Sequence, residues 1–412
     1  MDKLIVVVIG AGPAGLFCAL QAALPGHSIL LLEKNKNPGT KLLLSGSGQC
    51  NITHSGDIRE FLTHYGNHGK QVRPALFGFT NQDLIEFFRN RGLLMITEDN
   101  GKVFPRTRCS ADVLDILVKE CRKQGIIMRC DEPVTGVTRT PQGFEINTTA
   151  ATYYTTMLVI ATGGASYPQT GSTGDGYMIS ESLGQPVTKT APALTPVHIR
   201  NYPFAALSGI SFESMHFSVW RSGKKVADRT GDVLFTHHGL SGPGILDASR
   251  DIHADDIITL SFVGTMKREE FVADFTKRAE ENRSWQISTI LAAYPIPERL
   301  NRKILILSGI PENLTCNHFS AEQRSRLITN CTQFPLIVSA LGGFSIAMVT
   351  RGGVALEGVN QKTMESKIIP HLYFAGEVLD IDGDTGGYNL QAAFSTGFLA
   401  GQSICRRMKG RE

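Results

Sequence analysis

The chain has 412 residues, more than one hydrophobic core usually holds, so we expect two or three domains. Its 42% hydrophobic and 19% charged residues are typical of a soluble globular protein, and a formal charge of +3 is too small to indicate a nucleic-acid-binding protein by itself. The eight cysteines form no C-x-x-C pair and no zinc-like cluster. This pattern predicts a cytoplasmic protein without a metal site and argues against a thiol-disulfide enzyme.

The start of the chain resembles a membrane segment in one respect, because residues 4–32 contain no Asp, Glu, Lys or Arg. The apolar run LIVVVIG is interrupted by AGPAG, however. Neither a membrane-spanning helix nor a signal peptide is expected to place Gly-Ala-Gly-Pro in its middle. We therefore predict a buried strand, a turn and a buried helix here, and no membrane association.

Residues 4–33 have the order strand, G-x-G-x-x-G turn, helix, strand and terminal acid that is typical of a dinucleotide-binding βαβ unit. Gly10 permits the tight turn, Gly12 lets the backbone approach a pyrophosphate, and Gly15 lets helix and strand pack closely. Glu33, the terminal acid, is expected to accept the hydroxyls of an adenosine ribose. The predicted cofactor-binding residues of the turn are Gly10, Gly12, Pro13, Ala14 and Gly15.

NAD and FAD both fit this fingerprint, and three later segments favour FAD. A bound flavin needs backbone close to its isoalloxazine end, and small residues are concentrated in residues 42–54 (LLLSGSGQCNITH), 158–164 (LVIATGG) and 372–401. In the last segment, a short strand and a Gly-Asp-rich loop lead to a helix that begins near Asn389. The N-terminus of that helix suits the pyrimidine edge of a flavin, where negative charge accumulates on reduction.

With these segments, the chain resembles the BaiN-like, aminoacetone-oxidase-like family of FAD-binding proteins. The matching motifs run from one terminus to the other and are IGAGPAG, EKN, KLLLSGSGQCNIT, VFPRT, ATGGASYPQTGSTGDGY, LFTHHGLSGPGILDAS, VTRGGVALEGVNQKTMESK and LYFAGEVLDIDGDTGGYNLQAAFSTG. The resemblance implies an FAD-dependent oxidoreductase of the α/β class. Its expected fold is a discontinuous Rossmann-like FAD-binding domain with an inserted small β-barrel and helical subdomain.

The resemblance also implies which residues bind FAD. The K-x-L-x-S-G-x-G-x-C-N loop would line the flavin and its pyrophosphate, which explains its small residues. Beyond the first turn, the implied cofactor-binding residues are Glu33, Lys34, Lys41, Ser45, Gly46, Gly48, Cys50, Asn51, Val134, Thr162, Gly163, Gly164, Gly376, Glu377, Asp382, Gly386, Gly387, Tyr388, Asn389, Leu390 and Gln391. Many members have Arg where this chain has Gln49, so the phosphate or substrate contact of that arginine is not expected here. A second departure is His54, where many members have Asn.

The domain boundaries are expected in two turn-rich segments, KTAPALTP and QFPLI. We predict residues 1–190 as the first part of the FAD-binding domain and residues 335–412 as its C-terminal part. Between them, residues 191–266 alternate in the manner of short strands and predict a small barrel, and residues 267–334 predict a helical subdomain.

The segment GSTGDGYMISESLG resembles the Gly-Asp-Gly helix start of fumarate reductase and ketosteroid dehydrogenase flavoproteins. Those enzymes move hydride between flavin N5 and an activated carbon–carbon bond, which by analogy favours the same reaction class here. No second G-x-G-x-x-G follows in the insert, so NAD(P)H as electron donor would bind transiently.

The candidate catalytic residues are His237, Ser241 and Cys50. His237 and Ser241 belong to THHGLSGP, a loop after an apolar strand, and His237 holds the histidine position of the family. The alternative for His237 is to brace the insert, and the alternative for Cys50 is to act as a small packing residue. Tyr167 and Tyr388 are expected beside the flavin ring.

Three activities fit these observations. The first is an NAD(P)H-driven reductase of a small enone, the second is an aminoacetone-type amine oxidase that makes peroxide, and the third is a reductase that forms dihydrouridine in ribosomal RNA. The third is supported by the family and by charge, since residues 34–108 contain 11 Lys and Arg against 6 Asp and Glu; a solvated basic face is the alternative. A flavin-bound protein without catalysis is a fourth class. The sequence favours a small-molecule substrate over ribosomal RNA and leaves the oligomeric state open.

Overall fold

The computed structural model describes residues 4–410 of the chain. Two compact units are present, of which one contains the chain up to Ala193 and again from Phe344, and the other runs from Leu194 to Gly343. Each unit has its own cluster of buried hydrophobic side chains.

The strands, in chain order, are β1 (Leu4–Ile9), β2 (Ser28–Leu32), β3 (Thr53–His54), β4 (Met95–Thr97), β5 (Lys102–Pro105), β6 (Ile127–Arg129), β7 (Val134–Thr140), β8 (Gly143–Thr148), β9 (Thr152–Thr155), β10 (Met157–Ile160), β11 (Val187–Ala193), β12 (Val197–Ile199), β13 (Ser211–Arg221), β14 (Lys224–Phe235), β15 (Gly239–Ser241), β16 (Ile257–Leu260), β17 (Phe334–Leu341), β18 (Val349–Val354) and β19 (Leu372–Phe374). The α-helices are α1 (Pro13–Ala22), α2 (Thr40–Leu44), α3 (Ile58–Phe61), α4 (Gly69–Gly78), α5 (Asn81–Arg89), α6 (Ser110–Lys123), α7 (Asp175–Ser182), α8 (Pro243–Ala248), α9 (Arg268–Glu281), α10 (Ile287–Leu291), α11 (Glu298–Leu307), α12 (Ala321–Thr332) and α13 (Tyr388–Met408).

The first unit is organised by a five-stranded parallel sheet with the strand order β19-β10-β1-β2-β6. β1 lies at its centre, and Val6, Val7 and Val8 are fully buried, as predicted for a strand covered on both faces. The carboxyl ends of parallel strands meet at one edge of a sheet, and this edge is where α/β proteins bind nucleotides. The chain segments that follow β1, β2, β10 and β19 therefore converge there.

Helix α13 packs along α1 beside this sheet. The contact is close because a Cβ on Gly397 would lie 2.5 Å from the Ala14 carbonyl oxygen, and a Cβ on Gly401 would lie 2.5 Å from the Cys18 carbonyl oxygen. Two glycines on one face of α13 thus let the two helices approach. Three smaller sheets, β3-β5-β4, β7-β8-β9 and β11-β18, complete the unit.

The second unit contains a closed six-stranded barrel with the order β12-β15-β14-β13-β16-β17, together with the helices α9 to α12. The prediction of a barrel within residues 191–266 was incomplete, because β17 closes it and the unit extends to Gly343. The predicted return to the nucleotide-binding domain at residue 335 was therefore too early. In β17 alternate residues are buried, which is the period of a barrel wall, but the Gln-Phe-Pro start of the strand resembles a turn.

The predicted helical subdomain begins with α9, whose Phe271 and Phe275 are fully buried on one stripe. Within residues 4–410, no helix has the combination of length and apolar composition that crossing a membrane requires.

Candidate functional site

The turn between β1 and α1 contains glycines of two kinds. A Cβ on Gly10, where φ is +104°, would collide with the Ala161 carbonyl oxygen, and a Cβ on Gly15 would collide with the Gly10 carbonyl oxygen. The protein itself requires these two glycines. A Cβ on Gly12, the N-cap residue of α1, would meet no atom of residues 4–410 within 4 Å apart from its neighbours in the chain. The space beside Gly12 is open to a pyrophosphate at a helix N-terminus.

Glu33 follows β2 and turns its carboxylate toward this turn. Its Oε2 accepts a hydrogen bond from the Ala11 amide and its Oε1 accepts one from the Asn35 amide, both at 2.9 Å. Each oxygen retains a lone pair for a further donor, such as a ribose hydroxyl. Val134, also predicted to bind the cofactor, begins β7 two residues after Glu132, whose amide donates to the Glu33 carbonyl at 3.0 Å.

The segment Ser45–Cys50 is a turn of left-handed residues. Four of its residues have φ between +56° and +88°: Gly46, Ser47, Gly48 and Cys50. The Cys50 amide donates to the Ser45 carbonyl oxygen at 2.9 Å and closes the turn. Turns of this kind gather backbone N–H groups on one concave side, an arrangement that binds anions. Its conformation supports the predicted passage of this backbone against a cofactor phosphate.

The Cys50 thiol lacks the character of a reactive group. It is fully buried, and burial raises its pKa to about 12, with a smaller opposing effect from the Ser45 side chain. The thiolate is the nucleophilic form of cysteine, and desolvation disfavours that form. The catalytic role of Cys50 stays a prediction, and its burial is typical of the packing alternative.

An ion pair connects helix α2 with the C-terminal segment of the chain. Lys41 Nζ lies 2.7 Å from Glu377 Oε2, and Glu377 Oε1 also accepts from the Thr350 amide at 2.9 Å. The Thr350 hydroxyl oxygen accepts from the Ala165 amide at 2.8 Å, and a Cβ on Gly164 would lie 2.5 Å from it. The predicted residues Lys41, Gly164 and Glu377 thus meet around Thr350, which the sequence analysis missed.

The segment after β10 contains a buried hydroxyl that no described residue satisfies. Gly163 has φ of +75°, and Thr162 Oγ1 is buried without a hydrogen-bond partner among residues 4–410. A Cβ on Gly176 would collide with this hydroxyl oxygen. Because buried hydroxyls are normally hydrogen-bonded, the Thr162 hydroxyl fits a polar atom of a bound cofactor.

Two further predicted residues attach to the start of α7 and its preceding loop. Lys34 Nζ lies 2.6 Å from Asp175 Oδ2, in the Gly-Asp-Gly segment, and also donates to Thr173. Tyr167 has φ of +55° and its amide donates to the Phe344 carbonyl at 2.9 Å. The half-buried Lys34 ammonium is therefore already paired within the protein.

The C-terminal return meets α1 at Gly376. Its φ is +78°, its amide donates to Thr396 Oγ1 at 2.9 Å, and a Cβ there would lie 2.6 Å from the Ala14 Cβ. In the following loop Asp382 is buried, whereas Leu390 in the first turn of α13 is half-buried. The C-terminal segment, residues 372–401, therefore contacts the Gly10–Gly15 turn, as the FAD prediction requires.

Helix α13 begins at Tyr388, which confirms the predicted start near Asn389. Gly386 and Gly387 precede it with φ of +116° and +99°. The Asn389 side chain bonds to both the amide and the carbonyl of Gly383, and the buried Gln391 side chain bonds to Thr53, Phe79 and Ser395. These two side chains therefore hold the protein's own loops together at this helix start.

Asn51 joins the Ser45–Cys50 turn to the start of α13. With its amide oriented to satisfy its neighbours, its oxygen accepts from the Gly387 amide at 3.2 Å and its nitrogen donates to the Thr53 and Val103 carbonyl oxygens. Asn51 is thus a bridge between two predicted cofactor segments.

An arginine also lies beside the position where none was expected. Arg108 donates to Gln49 Oε1 at 3.2 Å, its guanidinium lies 4.4 Å from the centre of the Phe104 ring, and it pairs with Glu98 at 2.8 Å. The arginine that directly follows VFPRT in the sequence was the available signal. The position occupied by Gln49 thus keeps an arginine neighbour from a distant part of the chain.

A group of aromatic and imidazole side chains from residues 54–65 contacts Tyr388 and was not predicted from the sequence. His64 and His54 stack on the Tyr388 ring, and the Tyr65 hydroxyl donates to the Tyr388 carbonyl at 2.8 Å. The run THYGNH, with two histidines and a tyrosine beside the flavin loop, was the signal for this group.

The remaining catalytic candidates belong to the barrel unit. His237 and His238 form the exposed turn between β14 and β15, closed by the Thr236 amide donating to the Gly239 carbonyl at 2.9 Å. Ser241 ends β15 and pairs with Leu234 of β14. The catalytic roles of His237 and Ser241 remain predictions.

Comparison with known proteins places the chain among related sequences along its whole length. The HI0933-like protein Rossmann domain matches residues 4–403. The ribosomal RNA dihydrouridine synthase of Escherichia coli (strain K12) is 30% identical over 411 residues, which cover 98% of each chain, and that of Haemophilus influenzae is 31% identical over 97% of this chain and 98% of its own. The 3-dehydro-bile acid delta(4,6)-reductase of Clostridium scindens is 29% identical over 97% of this chain and 98% of its own.

One solved structure supports the fold. The 3-ketosteroid delta1-dehydrogenase from Sterolibacterium denitrificans, in complex with 1,4-androstadiene-3,17-dione, aligns with a TM-score of 0.52 at 11% identity and covers 99% of this chain and 100% of its own. At this identity the likeness concerns the fold alone.

Proposed function

Because the chain belongs to the HI0933-like family of FAD-dependent oxidoreductases, we propose that it is a reductase that saturates a carbon–carbon double bond conjugated to a carbonyl group. The observation that carries this proposal comes from two relatives that are 30% and 29% identical to this chain. By their names they act on different molecules but catalyse the same type of reaction. Forming dihydrouridine from uridine and reducing a delta(4,6) bond of a 3-oxo steroid both saturate such a bond.

Bound FAD supplies hydride transfer to the electrophilic carbon of that bond. The protein's own groups would hold the two ends of the cofactor. The open position at Gly12 and the amides of Ser45–Cys50 would take the pyrophosphate, Glu33 would take the ribose, and the turn before α13 would take the pyrimidine edge. The unpartnered Thr162 hydroxyl would gain a hydrogen bond there.

The source of electrons is proposed to be NAD(P)H. The buried Cys50 thiol, with its raised pKa, does not support a thiol relay at this site. The sequence contains no second G-x-G-x-x-G in its insert, so the nicotinamide would bind and leave within each turnover.

A uracil base in ribosomal RNA is a second candidate substrate beside a small enone, and the unpaired cations in residues 34–108 support it. Of the 11 Lys and Arg in residues 34–108, six form ion pairs. The other five form no ion pair among the described residues and are Lys36, Lys70, Arg73, Lys102 and Arg106. Cations that are not neutralised by the protein attract a polyanion, and their contribution falls steeply with salt.

The reaction class is tested by anaerobic reduction of the purified protein. We expect a yellow protein that releases FAD on heating and is bleached by NADH or NADPH within seconds to minutes. Addition of a conjugated enone or of ribosomal RNA fragments then restores the oxidised spectrum. Bleaching by aminoacetone and not by NAD(P)H would contradict the proposal and identify an amine oxidase.

The substrate is tested in the cell and in solution. Deletion of the gene should abolish a dihydrouridine in the large ribosomal RNA, measured by mass spectrometry, and the affinity for an RNA fragment should fall as salt rises. A base must leave its stack to be reduced, so fragments should react better than mature particles. Unchanged dihydrouridine together with no RNA binding at low salt would leave a small enone as the substrate.

A further inference from the structure

Helix α13 begins with a tyrosine that is held by a different part of the chain. Tyr388 is 4% exposed, and its ring lies nearly parallel to the His64 ring, with centroids 4.0 Å apart and planes at 12°. The His54 ring is stacked on it at 5.4 Å and 17°, and Phe61 contacts its edge at 4.9 Å. Tyr65 donates to its carbonyl oxygen at 2.8 Å. The first residue of α13 is therefore immobilised by side chains and not only by its own helix.

The two histidines that stack on Tyr388 are bonded differently. His54 Nδ1 accepts from the Gly56 amide at 3.3 Å, so its Nε2 carries the hydrogen and donates to the Asn100 carbonyl at 3.0 Å. Burial is the largest cause that lowers the pKa of His54, which fits this neutral form. His54 is thus a packing partner with both ring nitrogens occupied by backbone.

His64 instead pairs with a carboxylate. Its Nδ1 lies 3.0 Å from Asp384 Oδ2, and its carbonyl accepts from the Asp384 amide at 2.9 Å. The His64 side chain is 35% exposed and the Asp384 side chain 24%. Residues 64 and 384 are therefore connected twice, through side chains and through backbone, although they are 320 positions apart in the chain.

The residues between Asp384 and Tyr388 form the turn that precedes α13. Gly387 has φ of +99°, and a Cβ on it would lie 2.5 Å from the Thr53 carbonyl oxygen. The turn thus has no freedom to move away from residues 53–65 without breaking the contacts of Tyr388 or Asp384. The N-terminus of a helix carries partial positive charge, so this turn and any charge fixed on it act on a cofactor bound at that end of the helix.

We infer that His64 and Asp384 are a positioning pair for the flavin. His64 holds Asp384 and Tyr388, and through them the Gly386–Tyr388 turn against the pyrimidine edge of FAD. His64 also hydrogen-bonds a carboxylate whose negative charge opposes that of reduced flavin. The inference rests on FAD binding and not on the identity of the substrate.

Other charged groups of the described residues lie near this turn. His68 Nδ1 lies 3.9 Å from Asp380 Oδ1, which accepts from the Gly352 amide at 3.1 Å. Glu60 and Lys102 act electrostatically on His54 with opposite signs. His64 and Asp384 thus make a charge contact directly at the turn.

The test uses the full-length FAD-loaded protein and two substitutions with opposite expected signs. His64→Phe keeps a ring on Tyr388 and removes the donor to Asp384, so the flavin midpoint potential should fall. Asp384→Asn removes the carboxylate charge, so the potential should rise. We expect each variant to change the ratio of affinities for reduced and oxidised FAD about tenfold, which is about 30 mV for a two-electron couple.

Two controls separate this role from a general loss of structure. His216 pairs with Asp228 at 2.9 Å in the barrel unit, and His216→Phe should leave the potential unchanged. His64→Gln retains an N–H donor. Its ratio of affinities for reduced and oxidised FAD should therefore stay within about twofold of the wild-type ratio. In the double variant of His64→Phe and Asp384→Asn, the potential should equal that of Asp384→Asn alone, because His64 acts through Asp384.

The potentials are measured by equilibration with reference dyes, and FAD affinity by fluorescence titration of the apoprotein. Shifts of opposite sign support the positioning pair. Shifts of the same sign, or no shift in a folded variant, overturn it. If His64→Phe does not fold, the rise expected for Asp384→Asn still decides, and its absence overturns the inference. Failure of every substrate to react would contradict the proposed function but would leave these potentials unaffected.

Discussion

Two turns rich in small residues lie at the proposed flavin site, and they use those residues for different physical reasons. In Gly10–Gly15, two glycines are required because the protein's own backbone fills the space of a Cβ, whereas Gly12 faces open space. In Ser45–Cys50, the left-handed backbone is the common feature, and Ser47 and Cys50 adopt it without being glycine. A small residue can thus serve packing or backbone conformation, and at Gly12 neither the described residues nor a positive φ requires it.

The largest effect is expected at Gly15. Gly15→Ala should destabilise the apoprotein by about 3 kcal/mol, because the new Cβ collides with the Gly10 carbonyl oxygen and the turn must shift. Urea denaturation of the apoprotein measures this change. Within a helix, Gly→Ala is intrinsically stabilising by about 1 kcal/mol. An unchanged or increased free energy of unfolding would therefore show that the Gly10 carbonyl oxygen does not lie against Gly15.

At Gly12 we expect a loss of FAD binding without a loss of stability. Gly12→Val should leave the free energy of unfolding of the apoprotein within about 1 kcal/mol, because the side chain enters open space and the residue has φ of −77°. FAD retention should be lost, since the branched side chain would occupy the space of the pyrophosphate. A variant that purifies yellow with wild-type FAD affinity would place the pyrophosphate elsewhere.

Cys50 lies in the second turn, and its thiol is expected to be unreactive. Its pKa of about 12 keeps the thiol protonated between pH 6 and 9, so it should not react with a thiol reagent in the native protein. The labelling rate of the native wild type and of Cys50→Ala should therefore be equal across this pH range. Faster labelling of the wild type, increasing with pH, would reveal a reactive thiol and restore the catalytic hypothesis.

The smallest effect is expected at Ser47. Its φ of +56° is strained for a residue with a Cβ, so Ser47→Gly should raise the free energy of unfolding by no more than about 1 kcal/mol, part of the gain being lost to the greater freedom of glycine when unfolded. The matched change Gly46→Ala should destabilise, because a Cβ there lies 2.9 Å from the Asn51 nitrogen. Thermal unfolding of the two variants should shift in opposite directions, and equal shifts would contradict the left-handed turn.

Parts of the proposed site that depend on neighbouring residues could be predicted from the sequence. The unbroken run of β-branched residues in β1, the glycine spacing after it, Glu33 at the end of β2 and the start of α13 were all predicted, because strand burial, tight turns and helix starts are encoded within a few positions. The barrel was predicted from alternation, but its closing strand β17 was not. The helices and loops of residues 267–333 separate β17 from the other barrel strands in the sequence. These residues lack the alternation of buried and exposed positions that identifies a strand.

The contacts between distant residues follow from the folded structure and not from local sequence. Lys41 pairs with Glu377 across 336 positions and His64 with Asp384 across 320, and neither sequence segment indicates its partner. Thr350 in β18 contacts both Ala165, in the loop after β10, and Glu377. These contacts could not be predicted from the local sequence around Thr350. The physical reason is that hydrogen bonds and ion pairs act over a few ångströms in space, whereas sequence patterns report only the local periodicity of burial.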